Sequence, residues 1–173
     1  MTPETAKVVR LAVSSLSLSA AGLVGLALKE SYTSTAVIPI PGDRPTVGFG
    51  STFDDQGRPV RMGDTITPPK ALARTLGHIQ KDETQLKRCV TGALSQVEYD
   101  ILVDFSYWRG AGGACRSDVV KHINAGRYAD ACAAYLLLDS RRAAGKDCAD
   151  PANKCRGVWL RAQERHTKCM EVQ

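Results

Sequence analysis

Along this chain the polar and apolar positions change rhythm several times, and each rhythm predicts an element. From Leu11 to Leu28 there is no charge, a run long enough to enter or cross a membrane as one helix. Lys7 and Arg10 on its N-terminal flank predict that the start of the chain stays cytoplasmic and that everything beyond Leu28 is exported. The run is also rich in small residues, among them Ser14, Ser15, Ser17 and Ser19, which pull its insertion energy back toward zero. A stable anchor, a cleaved signal peptide with a weak site near Ala20 or Ala21, and a segment that inserts and later leaves the bilayer are therefore all open. A buried helix of a soluble domain is the plain alternative.

Residues 36 to 52 alternate apolar and turn residues (AVIPI, PGDRP, TVGFGST), which predicts a β-hairpin. Residues 53 to 66 are polar and turn-rich, a connector. Thr67-Pro68-Pro69 starts a helix, Pro being tolerated in the first turn, and Leu72, Leu76, Ile79 and Leu86 mark its apolar face. Ser95 with Glu98 forms a capping-box pattern opening a helix that the GAGG stretch ends. Further helices are predicted from Ser117 to Ile123, stopped by Gly126, and over 127–139. A polar loop follows, and then a last helix from Val158 to Met170 with Arg161, Arg165 and Lys168 on a solvated side. The sum is α+β: a mainly helical domain with a small β-hairpin near its start, preceded by one N-terminal transmembrane or signal-anchor helix.

At 173 residues and 43% hydrophobic composition, one compact domain with a short appendage is expected, divided as 1–29 and 30–173. The formal net charge of +5 favours polyanionic partners such as nucleic acid, anionic lipid or an acidic cell-wall polymer. No basic–aromatic interleaving or Lys/Arg run supports nucleic acid. The six cysteines, Cys89, Cys115, Cys132, Cys148, Cys155 and Cys169, contain no C-x-x-C, and His78, His122 and His166 form no zinc pattern, so disulfides in an oxidising compartment are expected and a metal is not.

Glu30 stands at the edge of the uncharged run, shortly before a loop holding Asp43 and Thr46. Hydrolysis of a glycosidic bond needs an acid at the leaving oxygen and a second group that orients or activates water. A surface Glu with a turn Asp is the ordinary explanation of such a spacing taken alone. Glu30 followed by PTVGFGST, however, resembles the acid and T-x-G-x-G segment of the phage-type lysozymes, glycoside hydrolase family 24. LVDFSYWRGAGGACRSDVVKHINAG and then GVWLRAQERHTKCM are similar to later segments of that family in the same order, so the resemblance spans about residues 30 to 170.

The resemblance implies a lysozyme-like fold and an endolysin without cofactor. It would hydrolyse, with inversion, the β-1,4 bond between N-acetylmuramic acid and N-acetylglucosamine in peptidoglycan. It implies Glu30 as general acid and Thr46 as the residue that helps place water. Many members put an Asp where this chain has Ile40, so Asp43 is the candidate second carboxylate. Ser51 stands where many relatives have His, and Ser31 follows Glu30 where Gly is common. Tyr107 and Trp108 are candidates for stacking on sugar, or for the core. The N-terminus resembles that of signal-anchor-release endolysins, which implies residues 11–28 in the host inner membrane (N-in, C-out) before release to the periplasm. A holin is then an indirect partner, and a monomer is expected. No cysteine precedes Cys89, so a redox switch in the released helix is not expected. Of the fifteen pairings six cysteines allow, Cys89–Cys115, Cys132–Cys169 and Cys148–Cys155 are expected. A lytic transglycosylase, which needs no water-activating Asp, and a non-catalytic murein-binding protein are the alternatives. A basic face including Arg141, Arg142, Lys146, Lys154, Arg156, Arg161 and Arg165 would serve the binding protein or the enzyme equally.

Overall fold

The computed structural model describes residues 8–39 and 42–173; Lys7 and Ile40 lie outside the described residues. The chain divides into two compact units, one of Ser19–Lys81 and one of the described residues up to Leu18 with Asp82–Gln173.

In the Ser19–Lys81 unit, α1 (Ala20–Glu30) begins at Ser19, whose hydroxyl accepts the Gly22 N–H at 3.0 Å, a serine cap that satisfies one of the helix's orphan donors. Strands β1 (Thr33–Val37) and β2 (Thr46–Gly48) pair antiparallel, Thr33 opposite Gly48 and Val37 opposite Thr46, with an irregularity between. The hairpin is thus present and starts earlier than the alternation indicates. Segment 53–66 is more than a connector, since isolated bridges join Thr35 to Thr65 and Phe53 to Pro59. These turns fold Val60 and Ile66 onto Ala36, Val47 and Ala71, with Tyr32 and Phe49 packed alongside.

Helix α2 (Pro68–Cys89) starts at the predicted prolines and contains the boundary between the units. Its buried stripe includes the predicted Ile79 and Leu86 but not Leu72 and Leu76. Ala71, Thr75, Ile79, Glu83 and Leu86 are buried, whereas Leu72 and Leu76 are 41% and 39% exposed. Ala71 and Thr75 take the inner face in the first half of the helix, so apolar spacing placed the stripe correctly at Ile79 and Leu86 and one position off at Leu72 and Leu76.

In the other unit, α3 (Gln96–Arg109) carries the complete Ser95/Glu98 capping box. Gly110, at φ 77°, ends it and opens α4 (Ala111–Arg116), so the Gly-rich stretch does not merely terminate a helix: Ala111 and Ala114 are buried and draw it into another turn. Then come α5 (Asp118–Asn124), capped by Ser117, α6 (Tyr128–Ala134) and α7 (Leu138–Arg141). The single helix predicted over 127–139 is broken because Leu137 and Leu138 are exposed rather than buried, while the Ser140 hydroxyl turns back to donate to the Ala134 carbonyl. The polar loop holds a two-residue hairpin, β3 (Arg142–Ala143) with β4 (Lys146–Asp147). Helix α8 (Arg156–Met170) closes the chain. Arg165, expected on its solvated side, has a side chain only 2% exposed and pairs with Asp104 at 2.6 Å, so it does not belong to the basic face. Phe105 and Tyr135 meet edge-on at 5.4 Å in this core.

Three disulfides join Cys89 to Cys115, Cys132 to Cys169 and Cys148 to Cys155, the expected pairing.

The uncharged N-terminal run is not one helix here. Residues 8–12 are irregular, Val13–Ser15 form a 3-10 turn, and α1 has eleven residues, spanning about 16 Å at the α-helical rise. Among the described residues no helix is long and apolar enough to cross a membrane. Residues 10–18 instead lie on the unit they share with α3. Leu11 and Leu94 exchange backbone hydrogen bonds of 2.8 and 2.9 Å, and Val13 and Leu16 are buried. The Arg10 guanidinium grips the Glu98 carboxylate through contacts of 2.6 to 3.1 Å and lies 3.7 Å from the centroid of the Tyr128 ring.

Candidate active site

Glu30 is the last residue of α1, half-buried. The next residue, Ser31, leaves the helix at φ 56° and ψ 157°, a region almost reserved for glycine; that is the physical reason a glycine suits this position. The turn delivers Glu30 to the T-x-G-x-G segment, where a Cβ on Gly50 would lie 3.2 Å from Glu30 Oε2. Gly50 is at φ 77° and Gly48 at φ 70°. A Cβ on Gly48 would come 2.9 Å from Ala71 Cβ. The first glycine lets α2 pack against β2, and the second leaves room for the carboxylate. Sequence reading singled out the segment without assigning these two separate tasks, which need coordinates to be seen.

Thr46 is partly exposed at the start of β2, opposite Val37. Asp43 is exposed in the preceding turn, where its Oδ1 accepts the Arg44 N–H at 2.8 Å. Glu30, Asp43 and Thr46 therefore all belong to the Ser19–Lys81 unit, and it is Glu30 and the TVGFG turn that the structure brings together. Ser51, in the place of the usual His, is buried at 4% exposure, and its backbone N–H and carbonyl both pair with Val47. A groove of about 540 Å³ in this unit is lined by Ser51, Phe53, Lys70, Arg74 and His78 among others and by none of the three candidate catalytic residues.

Tyr107 and Trp108 lie in the last turn of α3, in the other unit, both partly exposed. The Trp108 ring is 6.2 Å from that of Phe105, and the Arg109 and Arg165 guanidinium carbons lie 5.9 and 5.7 Å from it. Among the described residues no cluster of three His, Cys, Asp or Glu side chains could hold a metal.

The sequence profile of the phage lysozyme family matches residues 28–152, so the chain belongs to that family and is a glycoside hydrolase of the lysozyme class. It is 32% identical over 103 residues to the endolysin of Salmonella phage P22, covering 60% of this chain and 68% of that one. Among solved structures, the endolysin of Escherichia coli O157:H7 phage FAHEc1 superposes with a TM-score of 0.77 at 24% identity, covering 92% of this chain and 96% of that one. The active form of the phage P1 endolysin Lyz gives 0.69 at 14% identity, with 91% and 87% covered; both likenesses concern the fold.

Proposed function

We propose that this chain is a phage endolysin, a muramidase that hydrolyses the β-1,4 bond between N-acetylmuramic acid and N-acetylglucosamine and so lyses the bacterial host. Family membership supports the reaction class, and the observation that carries the site is the approach of the Glu30 carboxylate to Gly50, the last residue of the T-x-G-x-G segment that Thr46 opens. In this reading Glu30 donates its proton to the leaving glycosidic oxygen as the bond lengthens. The Thr46 hydroxyl positions a water, and Asp43 activates it from the opposite face of the sugar, giving inversion. Tyr107 and Trp108 offer aromatic faces to the glycan.

The reading extends to location. Before lysis residues 11–28 lie in the inner membrane with the catalytic part outside, and after release the enzyme is periplasmic, a holin acting indirectly by depolarising the membrane. The serine-rich character of the run and its absorption into folded units in the present structure support a segment at home in both settings.

Clearing of outer-membrane-permeabilised Gram-negative cells tests the chemistry. Wild type should clear them, Glu30→Gln should lose at least about a thousandfold, and Asp43→Asn at least about a hundredfold. A folded, oxidised wild type that releases no reducing sugar overturns the muramidase. Asp43→Asn with full activity and products ending in 1,6-anhydro sugar would mean a lytic transglycosylase.

A further inference from the structure

We infer that Tyr32 is a positioning residue for Glu30, a role that rests on the muramidase reading proposed above. Through its hydroxyl and its ring it fixes the turn that presents the Glu30 carboxylate to Gly50.

Glu30 ends α1, so the helix secures it from the N-terminal side alone. The next residue, Ser31, holds φ 56° and ψ 157°, a conformation that an L residue keeps only where its surroundings over-determine it. The restraint has to come from beyond this joint, and Tyr32 is the first residue there. Its hydroxyl donates to the Ile66 carbonyl at 2.5 Å, across 34 residues of chain. Its ring meets that of Phe49 with centroids 5.6 Å apart and planes tilted by 54°, a favourable arrangement of two aromatic quadrupoles.

Both partners are themselves held. The Ile66 N–H donates to the Ser34 carbonyl at 2.9 Å and the Ala36 N–H to the Asp64 carbonyl at 2.8 Å, so segment 64–66 runs along β1. The Tyr32 hydroxyl adds one further bond to that edge. Phe49 stands between Gly48 and Gly50 in T-x-G-x-G. Thr33 pairs with Gly48, Tyr32 packs on Phe49, and Glu30 approaches Gly50. Three consecutive residues of the motif thus meet the chain leaving α1 in antiparallel order. Gly50 offers the acid no side chain to rest against, so the ring contact one step away sets how far Glu30 reaches.

Tyr32 and Phe49 also pack on the cluster of Ala36, Val47, Val60, Ile66 and Ala71, the ordinary use of an aromatic pair. The hydroxyl separates the two roles. Filling that space needs a ring alone, which phenylalanine supplies, whereas a directional bond to a fixed carbonyl sets the ring's orientation. A misplacement of about 1 Å in a catalytic group costs on the order of a hundredfold in rate, so losing one of two restraints should cost about tenfold.

The test uses the full chain with its disulfides intact, each variant checked for cooperative melting. On soluble peptidoglycan fragments Tyr32→Phe should lower kcat about tenfold and leave KM unchanged. In the Glu30→Gln background the same substitution should cause no further loss, because a residue that acts through Glu30 has nothing left to position. Tyr32→Leu, which lacks the ring as well, should lower kcat further than Tyr32→Phe. In protein with carbon-labelled glutamate, the Glu30 carboxyl resonance, assigned from its absence in Glu30→Gln, should move in Tyr32→Phe. An unchanged kcat in Tyr32→Phe, or an equal fractional loss with and without Glu30, overturns the positioning role. If wild type cleaves nothing, the muramidase reading fails, and the resonance still decides whether Tyr32 places Glu30: a shift supports it and an unmoved signal overturns it.

Discussion

Ser31 holds φ 56° and ψ 157° directly after Glu30, and a side chain in that region costs about 1 to 3 kcal/mol. Glycine removes that cost but adds about 1 kcal/mol of unfolded-state entropy, so Ser31→Gly should stabilise by about 1 kcal/mol. Thermal melting should then show a rise in Tm of about 2 to 4 °C; an unchanged or lower Tm would mean that the turn is not strained. The residue scale also accounts for T-x-G-x-G. Its order was visible in the sequence, but the reason for each glycine was not. One faces Ala71, 23 residues beyond Gly48, and the other faces Glu30, 20 residues before Gly50.

At the scale of elements, segment 10–18 contributes to a buried network rather than merely covering a surface. Glu98 has a side chain only 4% exposed. Burial pushes its carboxyl upward, but the hydrogen bonds from Arg10, Gln173 and the Ser95 backbone outweigh that and hold it below the ordinary glutamate value. Glu83 likewise accepts the Leu18 N–H and the Tyr99 hydroxyl, each at 2.8 Å. Burial, reinforced by Glu83, lifts the Tyr99 hydroxyl far above the usual phenol range. Arg10→Ala leaves a buried carboxylate short of its cation and should cost about 3 kcal/mol in denaturant unfolding at pH 7. The pH dependence follows from the direction of the shift. Because the folded-state value of Glu98 is lowered, its contribution is full above the unfolded value near 4.3 and is lost as pH falls through the folded one. In Arg10→Ala the opposing burial dominates and the sign reverses: the folded-state value lies above the unfolded one, so the ionised Glu98 destabilises at neutral pH and the variant recovers stability relative to wild type as pH falls. Superimposable stability–pH curves for the two proteins would show that Arg10 does not set this linkage.

At the scale of the whole molecule, all three disulfides lie in the unit with Asp82–Gln173, which suits a chain that matures in an oxidising compartment. The proposed membrane step predicts a shift between fractions. Full-length protein should sediment with inner membrane in energised cells and move to the soluble periplasmic fraction after an uncoupler. A protein that is soluble throughout, or never released, would remove that step. By itself the sequence determined the class of fold, the hairpin, the Ser95/Glu98 capping box and the order of lysozyme-like segments, because these depend on local periodicity and on residues close together in the chain. It also placed Glu30, Asp43 and Thr46 within one short stretch. Tertiary structure decided which stripe of α2 is buried, the break between α6 and α7, the burial of Arg165, and the folding of an uncharged run into a turn, a strap and an eleven-residue helix. Each of these depends on which partner covers a side chain, and such partners are separated by dozens of residues, beyond what local spacing records.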